Sequence, residues 1–192
     1  MRGRDIKRYE YTFADLYLIN THNGIKEKNI HRINIINYPT LKKYLDGYWD
    51  KISTRADKGD TPYNLRNCAY MDDFNKPKLV YPETTQGAFF AYDKEGIYID
   101  KTCFMMTGKD EKTLRYLQKT LSSRLFEFAY KNIFSSIELG QNGYQYNKHA
   151  LIKLPIIEKV IDLPDNDEEL NNTLYHLYNL VEDEIDLVKS YN

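Results

Sequence analysis

Cations and planar hydrogen-bonding side chains lie side by side at several points of this 192-residue sequence. The opening MRGRDIKRY places Arg2, Arg4, Lys7 and Arg8 within eight residues. Such a cluster suits phosphates, which are met by Lys, Arg and backbone N–H groups. Residues 55–67 combine Arg55, Lys58 and Arg66 with Asp60, Tyr63, Asn64 and Asn67, and the turn 83–87 brings Glu83, Thr84, Thr85 and Gln86 to a strand end. A later Gly/Asn-containing stretch adds Gln141, Asn142, Tyr144 and Tyr146. Base edges need groups of this kind: Arg for guanine, Asn or Gln for adenine, Asp or Glu for cytosine. The candidate contact set is therefore Arg2, Arg4, Lys7, Arg8, Arg55, Lys58, Asp60, Asn64, Arg66, Thr84, Gln86, Asn142 and Tyr144. Arg4 and Asp5 fit a structural pairing within the fold equally well.

These residues must be positioned by a mixture of strands and helices. Tyr9, Tyr11 and Phe13 alternate at strand period, and Asp15–Asn20 continues as a short apolar strand to the turn signal THNG at 21–24. Thr40 can cap a helix running to about Ile52, with Leu41, Tyr44, Leu45, Tyr48 and Trp49 on one face. Residues 54–68 are polar, hold Gly59 and Pro62, and read as a loop. Strands are expected at 77–81, 88–92 and from 97 through 106, with DKEG (93–96) as a hairpin turn. Residues 111–134 form the clearest helical pattern, interrupted at Ser122-Ser123, and 135–148 reads as a loop. After a linker and cap at 162–166, two further helices are expected over about 168–180 and 182–191.

The net charge of −1 conceals a strong asymmetry. Residues 1–82 carry 15 Lys/Arg against 10 Asp/Glu, residues 83–153 carry 10 against 8, and residues 154–192 carry 2 against 10. A positive body is thus joined to an acidic tail, a pattern compatible with a phosphate-facing surface. Several chemistries lack their signatures. There is no GxGxxG or Walker A loop and no Asn/Asp-Pro-Pro-Tyr/Phe tetrapeptide. Asp100-Lys101, or Glu95 with Asp100, imitates a metal-dependent nuclease centre without a third partner. Cys68 and Cys103 have no metal-motif spacing, and His22, His31, His149 and His176 are scattered. No cofactor is expected in the chain. No secretory leader or membrane-length apolar run is visible, so a reduced, cytoplasmic setting is expected.

A succession of segments resembles one family. RGRDIKRY (2–9), DKGDTPYNLRNCAY (57–70), KPKLVY (76–81) and IDKTCFMMTG (99–108) look like the TaqI-like C-terminal specificity domain. The Leu-rich stretch 114–132 with Leu121-Ser122-Ser123, the stretch LGQNGYQYNKHALIKLPI (139–156) and LYHLYNLVEDEIDLV (174–188) are similar to its later segments, in the same order. Two departures stand out. The family often has more glycine where this chain reads LGQNG, and a Trp and Arg commonly follow the strand where Tyr81, Pro82 and Glu83 occur here.

The resemblance implies a domain that sets which double-stranded DNA sequence a type IIG restriction–modification enzyme modifies and cuts. Its parent would be an adenine DNA methyltransferase fused to an endonuclease in a bacterial or archaeal cytoplasm. S-adenosylmethionine and Mg²⁺ would belong to those catalytic parts, and the chain itself would not be an enzyme. Since the opening reads as a strand met in mid-domain, the chain is expected to be cut from that larger polypeptide. The expected fold is α+β, a mixed or antiparallel sheet with packed helices, with a recognition domain over 1–160 and an acidic helical tail over 161–192 packed on it. From the residues alone two other readings stay open: a protein-interaction module using the acidic tail and exposed tyrosines, or an RNA-binding domain whose tyrosines stack on single-stranded bases.

Overall fold

The computed structural model describes residues 1–134, 138–139 and 143–191. The chain is α+β, as its sequence pattern indicates, and divides into two compact units. One comprises Met1–Leu16 with Asp72–Asn192, the other Tyr17–Met71.

The first unit is organised by β1 (Lys78–Pro82), whose five residues are all buried. It lies between β3 (Ala91–Asp93) and β4 (Cys103–Thr107), antiparallel to both. A second small antiparallel sheet pairs β2 (Thr84–Thr85) with β6 (Gly143–Gln145), and β6 with β5 (Glu138–Leu139). The expected long helix breaks where its serines predicted. Asp110 caps α3 (Glu111–Leu121) by accepting from the Thr113 N–H at 2.7 Å. Ser123 then caps α4 (Arg124–Ala129), which widens into a π-helical turn, Tyr130–Phe134. A short α5 (Lys148–Leu151) follows β6.

Burial of aromatic rings unites these pieces. Tyr81, Phe90, Tyr130 and Tyr146 pack with centroid separations of 4.5–5.8 Å. The buried Tyr130 hydroxyl donates to the Gln145 carbonyl at 2.9 Å and accepts from the Asn147 N–H at 3.0 Å, so its polar tip is satisfied. Burial pushes the Tyr81 phenol up to about 12. The acidic segment joins the same unit. Asn166 caps α6 (Asp167–Leu177), whose Leu170 and Leu174 pack with Tyr116 and Leu163, and α7 (Glu182–Ser190) buries Val188.

The strands expected over 9–13 and 15–20 do not form, and the one expected over 97–106 forms only from Cys103, as β4. Tyr9 and Asp15 adopt positive φ (68° and 51°), which ends an extended run. Residues 6–12 instead fold into a compact turn in which the Thr12 N–H donates to the Asp5 carbonyl at 2.8 Å. Residues 97–99 are irregular because the preceding turn wraps around Asp93, which accepts from the N–H groups of Glu95 and Ile97 at 3.0 Å each. Asp93 also accepts from the Tyr11 hydroxyl at 2.9 Å and forms a fully buried ion pair with Lys78, its register partner across β1 and β3.

The second unit opens with a small hairpin around residues 24–31, followed by α1 (Pro39–Asp46) and α2 (Trp49–Thr54), which are separated at Gly47 where one helix was expected. Among the described residues of the whole chain, no helix is long and apolar enough to cross a membrane.

Removing one member of a buried, hydrogen-bonded ion pair leaves the other uncompensated. Asp93→Ala is therefore expected to lower folding stability by about 3–5 kcal/mol, read from denaturant midpoints. Lys78→Met combined with Asp93→Leu should lose much less. Equal losses in the two proteins would show that the pair is not what holds this turn.

Candidate nucleic-acid interface

The four N-terminal cations separate into two that hold the fold and two that face outward. The Arg2 guanidinium and backbone N–H donate to Asp5 at 2.9–3.1 Å. The hydrogen bond from Arg2 is the main reason the Asp5 carboxyl sits below its ordinary range. Arg8 donates to the Ser122 carbonyl at 3.1 Å, stacks on the Tyr9 ring and pairs with Asp167 of α6. Arg4 and Lys7 are exposed, with the Lys7 ammonium 5.9 Å from the centre of the Phe89 ring. The even choice between a structural and a contact role thus falls differently on adjacent residues: Asp5 is structural and Arg4 is outward.

Thr84 and Gln86 are exposed in the turn that follows β1. The turn is fixed by Thr85, whose hydroxyl donates to the Gly87 carbonyl at 2.7 Å and accepts from the Gly87 N–H at 3.2 Å. Arg4, Lys7, Thr84 and Gln86 line one concavity of about 330 Å³, with Phe89 and Gly143. Residues about 80 apart in sequence therefore share one surface. Tyr144, expected at that surface, is instead 2% exposed. Its ring packs beside Tyr130 and Tyr146, its hydroxyl lies 3.3 Å from that of Tyr146, and burial pushes its phenol strongly up. A neighbour on β6 explains the difference, because strand residues alternate between faces. Asn142 and Gln141 lie outside the described residues.

In the second unit the 55–67 loop presents fewer free groups than its composition suggests. Asn64 is 1% exposed, and its amide donates to the Ile33 carbonyl at 2.9 Å and the His22 carbonyl at 3.3 Å while accepting from Thr61. Arg55 donates to the carbonyls of Pro62 and Asn64 at 3.1 and 2.6 Å. Both residues shape the loop rather than face outward, which corrects the expectation for them. Lys58 is exposed and donates to the Ser53 carbonyl at 2.8 Å. Arg66 meets Asp57 at 3.1 Å, with both side chains at least 70% exposed, so that pair is weakly held.

Asp60 is exposed but firmly oriented. Its carboxylate accepts from Asn23 Nδ2 at 3.0 Å and from Arg32 Nη1 at 3.1 Å, and its backbone N–H donates to Asn23 Oδ1 at 2.8 Å. Asn23 donates further to Asn67 Oδ1 at 2.8 Å. The Asn23 hydrogen bond, then Arg32, hold the Asp60 carboxyl below its ordinary range. No local pattern singles out Asn23 and Arg32, since they reach Asp60 across 37 and 28 residues.

The geometry defines a class: an α+β domain whose outward cations, amides and hydroxyls stand on exposed surfaces of a packed, hydrogen-bonded interior. The chain belongs to the TaqI-like C-terminal specificity domain family, whose model matches residues 1–156. Membership supports a DNA-recognition role within restriction–modification enzymes.

In the second unit only Thr21, Ile35 and Asn64 are buried among the described residues, so its cohesion rests heavily on polar contacts. Asn64→Ala leaves two backbone carbonyls and the Thr61 hydroxyl without their partner. We expect a local loss of about 2–4 kcal/mol. Amide exchange should accelerate at Ile33, Gly59 and Leu65 but not along β1. Unchanged exchange at those three amides would contradict the structural role assigned to Asn64.

Proposed function

We propose that this chain reads double-stranded DNA as the specificity portion of a type IIG polypeptide that also carries an adenine DNA methyltransferase and an endonuclease. Binding, not chemistry of its own, is its task. The observation that carries this reading is the convergence of Arg4, Lys7, Thr84 and Gln86 on one concavity in a chain of the specificity-domain family. Arg4 and Lys7 supply positive charge for phosphate oxygens, and Thr84 and Gln86 supply a hydroxyl and a planar amide for base edges. The turn after β2, which carries Gln86, is braced by the Thr85 hydroxyl on Gly87, so the amide is offered from a hydrogen-bonded turn.

S-adenosylmethionine and Mg²⁺ would serve the catalytic parts of the parent, in a bacterial or archaeal cytoplasm. The carboxylates that flank the concavity in sequence do not suit a cation here: Asp5 is held by Arg2, and Glu83 accepts from the Gln145 amide at 2.9 Å. Tyr81, Tyr130, Tyr144 and Tyr146 are buried and not open to stacking on single-stranded RNA, so that reading would fall to exposed tyrosines such as Tyr38, Tyr44 and Tyr48.

Binding of the chain to a duplex of about 20 base pairs, followed across salt concentration, tests the reading. Each phosphate contact contributes about 0.9 to the slope of log K against log salt. The double variant Arg4→Ala/Lys7→Ala should reduce the slope by up to about 1.8 and weaken binding to all sequences alike. An unchanged slope would remove phosphate contact from the concavity. Preference for single-stranded RNA over the duplex would replace DNA reading altogether.

A further inference from the structure

We propose that Arg32 is a base-reading residue of the second unit, directed at the guanine of one G·C pair, and that Asn23, Gly59 and Asp60 are the residues that position it. The inference rests on the DNA-reading function proposed above and assigns a determinant that neither the sequence pattern nor the family match identifies.

Guanine is read through O6 and N7, two acceptors on the major-groove edge, and the guanidinium fork matches them with two parallel N–H donors. Such a contact is most selective when the fork is oriented before binding, because ordering a long side chain opposes association. The cations of residues 17–71 differ in this respect. Arg55 is turned inward on two backbone carbonyls, and Lys58 is a single ammonium resting on the Ser53 carbonyl. Arg66 pairs with an Asp57 that is itself about three-quarters exposed. Arg32 is half-exposed yet joined through Nη1 to a carboxylate fixed from its other side. No other hydrogen bond occupies its guanidinium among the described residues, so the remaining N–H groups are available to a ligand.

The brace is built into the backbone. Gly24 has φ +85°, and a Cβ there would lie 2.5 Å from the Ile30 carbonyl and 2.8 Å from the Arg32 nitrogen, so the hairpin that presents Arg32 requires glycine. A Cβ on Gly59 would stand 2.4 Å from Asn23 Oδ1 and 2.6 Å from the Leu65 carbonyl. Glycine at 59 therefore lets the Asn23 amide enter against the loop, where it holds the Asp60 N–H, the Asp60 carboxylate and Asn67 together. Asp60 keeps unfilled lone pairs beside Arg32, so the pair offers donors and an acceptor side by side.

The test is selection of bound duplexes from a library with a randomised core, using the full 192-residue chain and its variants. The wild type should yield a consensus, and Arg32→Ala should lose preference at a single G·C position by about 10- to 100-fold while the others persist. Asp60→Asn and Gly59→Ala should relax the same position more weakly. Melting temperatures identify any variant that fails to fold. Should Arg32→Ala be such a case, Arg32→Lys retains charge but lacks the fork, and it carries the same expectation. An unchanged consensus overturns the assignment, as does uniform weakening with a salt slope lower by about 0.9, which marks a phosphate contact. Absence of any consensus from the wild type overturns the DNA-reading function itself, and this inference with it.

Discussion

The buried ion pair between Lys78 and Asp93 is the constraint on which the first unit depends. Two opposite charges removed from water are costly, and the cost is offset only where each finds further hydrogen bonds. Lys78 also donates to the Phe74 carbonyl at 2.6 Å, and Asp93 also accepts from Tyr11, Glu95 and Ile97. These contacts tie the N-terminal segment, the start of β1 and the turn after β3 to one point. Because Lys78 and Asp93 face each other across β1 and β3, they fix register, and a slip of one residue would bury the wrong side chains. β1 then continues almost directly into β2 and the turn that holds Thr84 and Gln86. A charge pair in the interior thereby determines where an exposed amide stands.

The two units are stabilised by different means. Aromatic packing and leucine-rich helix faces dominate the first. In the second, Asn64 and Arg55 bind backbone carbonyls that an apolar residue would leave unsatisfied. Such polar cohesion is directional, and it transmits position well to Asp60 and Arg32. It also predicts lower local stability, since little apolar area resists opening.

The longer helices were legible because their signals are local, whereas the break at Gly47 and the short α5 were not. The Ser122-Ser123 interruption, the cap at the end of 162–166 and the amphipathic acidic helices all depend on residues within a few positions of one another. The strand pattern over 9–13 failed for a reason periodicity does not carry: Tyr9 turns left-handed as its N–H reaches the Phe90 carbonyl. Site residues were legible as types but not as roles. Arg8 cannot be distinguished from Lys7 until Ser122 and Asp167 arrive from more than a hundred residues away. The tyrosines divide between both environments: Tyr81, Tyr130, Tyr144 and Tyr146 are buried, whereas Tyr38, Tyr44 and Tyr48 are exposed. Asn64 was misplaced because the carbonyls it binds, those of His22 and Ile33, lie 42 and 31 residues away.

The central claim is that DNA is met by the concavity of Arg4, Lys7, Thr84 and Gln86 and by the braced Arg32–Asp60 cluster, while the acidic helices serve the fold. Backbone amide shifts of the isotope-labelled chain, followed during titration with duplex DNA, test it most directly. The account predicts perturbations centred on residues 3–7, 84–87, 23–32 and 58–67, with α6 and α7 nearly unmoved. Perturbations concentrated in α6 and α7, with those four segments silent, would contradict it.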